Sequence, residues 1–297
     1  MVLCDRPPAC PWSPVSGAVS LDSVSLDSVS LDSVPLDCHG IDSLDRDPWL
    51  DLWFADLDQA PPLPRLQGLL SPDEQQRVDR YRTQPLKHRF AASRALLRGI
   101  LGHYLGLDPA VLAFDYGPQG KPSLQPCQRS TPRVAPPLRT SPWLTPALDL
   151  NLDVNLDFNL SHCQGFALYG VSSQPLGVDL EVVRPLSNPV ELAQRFFAAP
   201  EVATLAALNP GDQAMGFLRH WVCKEAFVKA IGTGLSHALD QVVVSFNPCP
   251  HLAVIPPTAG SWHLQELTPT PATLAAFVTV VPPQTLRYRS PNWDFVP

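Results

Sequence analysis

Apolar positions along this chain change their period several times, and each change marks an element. Residues 49–57 (WLDLWFADL) form a nearly continuous apolar run, as a buried first strand does. Ser71-Pro72-Asp73-Glu74 opens a helix, with Ser71 suited to the N-cap and Pro72 to the first helical position. A second helix is predicted over residues 86–105. Short apolar runs at 166–171 and 176–182 predict two strands around the turn Ser172-Ser173-Gln174-Pro175. Helices are predicted over 189–197, 200–207 and 214–231, the last stopped by Gly232 and Gly234. Strands near 242–246, 262–266 and 274–281 close the pattern. The result is a mixed α+β chain of two comparable halves, residues 48–173 and 174–297, meeting near Gln174.

Two stretches break the pattern. Residues 19–37 read VSLDSVSLDSVSLDSVPLD, a five-residue repeat that matches neither helix nor strand. These few copies cannot bury a core, so residues 1–47 are expected to form a disordered leader. The second stretch, about 123–157, starts rich in Pro, Arg, Ser and Thr and continues as LDLNLDVNLDFNL. It reads as an expanded insertion of which only the end, around 158–160, need belong to the fold. Its row of aspartates lacks the glycine turn and closing glutamate of an EF-hand loop.

Composition narrows the class. Hydrophobic residues are 45% and charged residues 16% of the 297, enough for a sizeable core. A net charge of −7 argues against general nucleic-acid binding, which needs a broad basic surface. Seven cysteines, an odd number without a C-x-x-C pair, fit free thiols in a reducing compartment. No signal-peptide pattern opens the chain, and no apolar run reaches the roughly 18 residues of a membrane helix. A cytoplasmic protein without a membrane partner is the expectation.

Five segments carry candidate chemistry. In Gly177-Val178-Asp179-Leu180-Glu181, a strand puts both acids on one face. Paired carboxylates are hard oxygen ligands suited to Mg²⁺, although a polar outer strand face would show the same pattern. In the segment Trp221-Val222-Cys223-Lys224-Glu225-Ala226-Phe227-Val228-Lys229, a helix aligns Trp221, Glu225 and Lys229 at i, i+4 and i+8. Glu225 could add a third metal carboxylate and Lys229 could face a phosphate; an ordinary Glu–Lys helix pair is the bland alternative. Ser161 and His162, in Asn159-Leu160-Ser161-His162, could reach a phosphate. Gly117-Pro118-Gln119-Gly120-Lys121-Pro122 is not a P-loop, since two residues rather than four separate the glycines and Pro follows Lys. Residues 77–98 hold Arg77, Arg80, Arg82, Lys87, Arg89, Arg94 and Arg98, a local excess that suits a phosphate-rich ligand or a solvated helix face. Apart from Lys87 in this stretch, the chain's other three lysines, Lys121, Lys224 and Lys229, fall inside the preceding segments. A zinc site from His162, Cys163, His220 and Cys223 has no common module's spacing.

In this order the segments resemble the larger, surfactin-synthetase-activating type of 4′-phosphopantetheinyl transferase. The family's G-K-P, N-[LI]-S-H, G-[VI]-D-[LIV]-E, R-F-F and W-x-x-K-E-[AS]-x-x-K motifs match Gly120-Lys121-Pro122, Asn159 to His162, Gly177 to Glu181, Arg195-Phe196-Phe197 and Trp221 to Lys229. The resemblance runs over about 49–282, interrupted by the insertion. Departures are Cys163, where relatives often carry Ser or Ala, and Gln119, where many carry a small or basic residue.

The resemblance implies two α+β halves related by a pseudo-twofold axis, with coenzyme A between them, in a monomer. It implies Mg²⁺ on Asp179, Glu181 and Glu225. Coenzyme A contacts would come from Arg77, Arg94, Lys121, Ser161, His162, Lys224 and Lys229. Glu225, Glu181 and Lys229 would be catalytic, transferring the phosphopantetheine arm to a serine of an acyl or peptidyl carrier protein and releasing adenosine 3′,5′-bisphosphate. Arg195, Phe196, Phe197, Phe217 and Leu218 would be candidates for carrier docking, with a place in the core the equal alternative for the phenylalanines. A metal-dependent phosphohydrolase and a non-catalytic coenzyme A or carrier-binding module are the rival readings. Whether the carrier serves fatty-acid, polyketide or nonribosomal-peptide synthesis is left open by the motifs.

Overall fold

A computed structural model of the chain describes residues 47–117, 120–125, 156–232 and 239–291, together with 293 and 296. The leader up to residue 46, nearly all of the insertion, Gln119 and Gly234 lie outside the described residues.

The first half contains β1 (Trp49–Asp56), α1 (Leu63–Gln67), α2 (Pro72–Arg80), α3 (Gln84–Leu105), the short hairpin β2 (Phe114–Tyr116) and β3 (Pro122–Leu124), then β4 (Asp157–Cys163) and β5 (Phe166–Ser172). The second contains β6 (Leu176–Val182), α4 (Pro189–Phe196), α5 (Ala199–Ala206), α6 (Gln213–Ile231), β7 (Val243–Ser245), β8 (His251–Val254), β9 (His263–Leu267), β10 (Thr273–Thr279) and β11 (Thr285–Arg289). Helix α2 starts where Ser71 predicts, and Glu74 Oε2 accepts the Ser71 N–H at 3.0 Å. Helix α6 ends at Gly232, whose φ of 74° is left-handed and suits glycine. Strands β2, β3, β8 and β11 and helix α1 are too short or too polar to show in the periodicity.

Period two in the strands builds the layers. In β1, Trp53 and Ala55 face one way and pack with Ala91, Ala95, Leu96 and Ile100 of α3. Leu50, Leu52 and Phe54 face the other way, against Leu176, Val178, Ala275 and Phe277. The opposite face of β10, with Leu274, Ala276 and Val278, packs on Val222, Ala226 and Phe227 of α6. Helices, sheet, sheet and helices therefore stack in that order, an α+β fold with one helical layer per half. The sheets run β11-β1-β5-β4 and β6-β10-β9. Gly177 lets α6 lie directly on β6: a Cβ there would stand 2.0 Å from Ala226 O and 2.3 Å from Ala230 N.

The last strand crosses to the sheet of the first half. β11 leaves the second half and pairs parallel with β1, with Asp51 opposite Arg287 and Trp53 opposite Arg289. Both arginines donate to Asp51, the second at 3.1 Å, and so does the Tyr104 hydroxyl. Asp51 is fully buried. Past the strand, Arg65 Nη2 donates to Val296 O at 2.6 Å, and Val296 joins the first half's core. Arg287 and Arg289 alternate like an exposed edge in the sequence, which is why the strand was not visible there. Asp51→Asn should lower unfolding free energy by about 3 kcal/mol, because two guanidinium groups lose their shared counter-charge. Urea denaturation checks it, and an unchanged midpoint would show that the C-terminal strap does not depend on Asp51.

Candidate active site

The two sheets come together where β4 lies along β6. Side chains at odd positions of β4 all reach β6. Asp157 Oδ2 accepts the Leu176 N–H at 3.2 Å, and Asn159 Oδ1 accepts the Val178 N–H at 3.0 Å. Ser161 Oγ donates to Asp179 Oδ1 at 2.8 Å, and Cys163 Sγ donates to Glu181 Oε2 at 3.2 Å. Even positions face away, with Phe158 and Leu160 packed in the first half's core.

Helix α6 closes the site from the second half. Lys229 Nζ donates to Asp179 Oδ1 at 2.6 Å and to Ser161 Oγ at 3.0 Å. Ser161, Asp179 and Lys229 thus form one knot built from a strand of each half and a helix. One turn earlier on the same face, Glu225 is 7% exposed. Burial raises its pKa to about 7, with the charges of Asp179 and Glu181 adding to the effect and Lys229 opposing it. Asp179 is also pushed upward by burial, against the pull of Lys229 and Ser161. Asp179 Oδ2 and Glu225 Oε1 are buried and have no hydrogen-bond partner.

Glu181 stands differently. Arg184 Nη1 donates to its Oε2 at 2.7 Å, the same oxygen that Cys163 contacts. Among the described residues, no three His, Cys, Asp or Glu side chains converge as a ready-made metal cage. Asp179 and Glu225 nevertheless fit a hard divalent cation: each offers a buried, unpaired carboxylate oxygen, and Mg²⁺ commonly takes only one or two carboxylates beside phosphate and water.

The basic side chains divide into accessible and internally paired ones. His162 is solvent-accessible. Desolvation, followed by the charges of Lys229, Arg77 and Arg94, lowers its pKa. Four basic groups therefore surround one place. Arg77 is exposed, with its guanidinium 5.2 Å from the Phe90 ring centre. Arg94 is buried, donating to Glu74 Oε1 at 2.6 Å and to the Tyr116 hydroxyl at 2.9 Å. Arg98, 1% exposed, donates to Glu74 Oε2 at 2.6 Å and to Leu112 O at 2.8 Å. Burial alone would raise the pKa of Glu74, yet the two arginines hold it below its ordinary value. Arg89 is taken by Asp58 at 2.6 Å. Much of the apparent basic excess in residues 77–98 is therefore internal pairing. Lys121 Nζ reaches across the halves to Lys229 O at 3.0 Å and Leu176 O at 3.4 Å, tying the β2–β3 hairpin to the end of α6.

Two expectations from the sequence need correction. Lys224 lies next to Glu225 in sequence but about 100° around the helix. It is fully buried, bonded to Glu201 and to Val242 O, and it holds α5 and β7 against α6 instead of meeting a ligand. Phe197, Phe217 and Leu218, offered as docking residues, are 4%, 5% and 1% exposed and belong to the second half's core. Phe196, 38% exposed, and Arg195 remain at the surface. Sequence reasoning missed Asp157, Asn159 and Arg184. A polar residue at every second position of 157–163 was the available signal, obscured because Asp157 continues the repetitive insertion.

Residues 175–279 match the model of the 4′-phosphopantetheinyl transferase superfamily. The chain is 36% identical over 229 residues to the 4′-phosphopantetheinyl transferase HetI of Nostoc sp., covering 76% of this chain and 85% of that one. It is 36% identical over 201 residues to a putative 4′-phosphopantetheinyl transferase, slr0495, of Synechocystis sp., covering 67% and 72%. With Sfp of Bacillus subtilis it shares 27% identity over 183 residues, covering 62% and 69%. A match of this extent, over both halves and through the seam that joins them, makes this chain a member of the 4′-phosphopantetheinyl transferase superfamily.

Proposed function

We propose that this chain moves the 4′-phosphopantetheine group from coenzyme A to a serine hydroxyl of an apo carrier protein, at the seam between β4, β6 and α6, with Mg²⁺ bound. The observation that carries this reading is the pair of buried, unpartnered oxygens Asp179 Oδ2 and Glu225 Oε1 beside the ammonium of Lys229. An acid pair next to a lysine suits a pyrophosphate that brings its own cation. Asp179 and Glu225 would hold the Mg²⁺, with Glu181 joining on release from Arg184. The bound ion would neutralise charge on the pyrophosphate oxygens.

The remaining steps belong to the chain's own groups. His162, Arg77 and Arg94 supply positive charge for the phosphates of the nucleotide end. Glu225 takes the proton of the carrier serine, directly or through a water. The serine oxygen bonds to the phosphorus that bears the pantetheine arm, and the bond from that phosphorus to the bridging oxygen of the nucleotide breaks. Lys229 stabilises the charge gained by the departing adenosine 3′,5′-bisphosphate. Arg195 and Phe196, beside a groove lined by Leu186, Asn188, Glu191 and Leu192, form the carrier surface, with the exposed Arg195–Glu191 pair at 3.5 Å open to exchange for an acid of the carrier. Both halves of the site come from one chain, so the working unit is a monomer in the cytoplasm. No helix among the described residues is long and apolar enough to cross a membrane.

The direct test is the intact mass of a panel of apo carrier proteins after incubation with this chain, coenzyme A and Mg²⁺. One carrier should gain a single phosphopantetheine arm. Asp179→Ala and Glu225→Ala should each cut turnover by roughly 100-fold or more while the protein stays folded. No gain on any carrier, or full turnover in excess chelator, contradicts the reading.

The buried acids also set a pH dependence. Glu225 has a folded-state pKa raised to about 7, and Asp179 is shifted in the same direction. The metal-free folded protein therefore keeps protons that the unfolded chain releases, so its stability falls as pH rises from the ordinary carboxylate range through about 7. Added Mg²⁺ should raise the melting temperature more at about pH 8 than at about pH 5.5. Scanning calorimetry with and without MgCl₂ checks this, and an equal rise at both pH values would contradict it.

A further inference from the structure

We propose that Asn159 is a positioning residue for the metal-binding acids, acting through the backbone of β6; this rests on the metal reading above. Strand β6 is the edge of its sheet. On one side it pairs with β10, with Val178 opposite Phe277 and Asp179 opposite Ala276. On its other side the amides of Leu176 and Val178 have no strand to pair with. A buried N–H left in that state loses its water without a replacement partner. Asp157 and Asn159 accept these two amides, so side chains of the first half stand in for the missing strand. Asn159 is 3% exposed, and its bond to Val178 N is buried.

The placement of that bond matters more than its energy. Val178 is flanked by Gly177, pressed against Ala226 and Ala230 of α6, and by Asp179, which carries the orphaned oxygen. The Gly177–Val178 peptide is thus held by the helix on one face and by Asn159 at its edge. Rotation of the Gly177–Val178 peptide would turn the Asp179 side chain relative to Glu225, which is fixed separately on α6. The same column continues as Ser161 on Asp179 and Cys163 on Glu181. Its first two members hold the strand and its last two touch the acids, so one period-two strand sets the whole register. Asn159 bonds to the backbone of β6 and to neither acid.

The test measures metal, with no turnover involved. Mn²⁺ binding is followed by electron paramagnetic resonance on the full chain, and exchange of the Val178 amide by hydrogen–deuterium exchange. Asn159→Ala should weaken Mn²⁺ binding by about 10-fold, the lower end for loss of a group that orients metal ligands. It should also speed exchange at Val178. Leu101→Val, a core truncation in α3, should lower stability and leave Mn²⁺ affinity unchanged. If Asn159→Ala does not fold, Asn159→Ser takes its place with the same readouts. Unchanged Mn²⁺ affinity in a folded variant, or an equal loss in Leu101→Val, overturns the positioning role and leaves the metal reading standing. No Mn²⁺ uptake by the unaltered protein overturns the metal reading and this inference with it.

Discussion

The free edge of β6 is the constraint on which the rest of the site depends. A strand buried on both faces and paired on one side must satisfy its remaining amides within the protein. Here the polar column of β4 does so, through Asp157 and Asn159. Because that column belongs to the first half and β6 to the second, the bonds that complete the strand also set the two halves in register. The apolar layer between the sheets, with Leu52, Leu168, Val178 and Phe277, supplies attraction without direction. The directional bonds at the seam decide which residue of one half meets which residue of the other. The β11 strap and the Lys121 contact add further ties across the same division.

That register produces a concentrated charge problem. Asp179 and Glu225 share a buried space in which one lysine is the nearest compensation, and burial raises both acids. In a protein selected only for stability such a pair would be replaced by apolar groups. Two buried, unpartnered carboxylate oxygens are instead what the proposed cation site requires. The nearby bases follow the same logic. Arg94 and Arg98 are built on Glu74, which fixes their positions, while Arg77 and His162 remain accessible. Arg94 is thus held in place by its pairing, while Arg77 and His162 keep open approach from solvent.

Much of this was legible in the sequence, and the reasons are local. Period-two alternation in 176–182 and helical spacing in 213–231 are geometric consequences of the backbone, so Asp179, Glu181, Glu225 and Lys229 could be placed on their faces before any fold was known. Glycine punctuation gave the end of α6. What failed were judgements about partners distant in sequence. Lys224 looked like a ligand because lysine is rare here, but Glu201, 23 residues earlier, claims it. Arg98 looked available until Glu74 was seen to hold it. Arg287 and Arg289 depend on Asp51, more than 230 residues away, and no periodicity reports such a pairing. Asn159 was quoted as part of a motif, but its task became visible only once β6 was found to have an unpaired edge.

The central claim is that two halves of one chain make one site. It is tested most directly by titrating coenzyme A into the protein by calorimetry in the presence of Mg²⁺, with the molar mass in solution measured on the same sample. The account predicts one coenzyme A per chain on a monomer, with affinity lost on changing either His162 in the first half or Lys229 in the second. Two coenzyme A molecules per chain, or binding that appears only in a dimer or trimer, would contradict it.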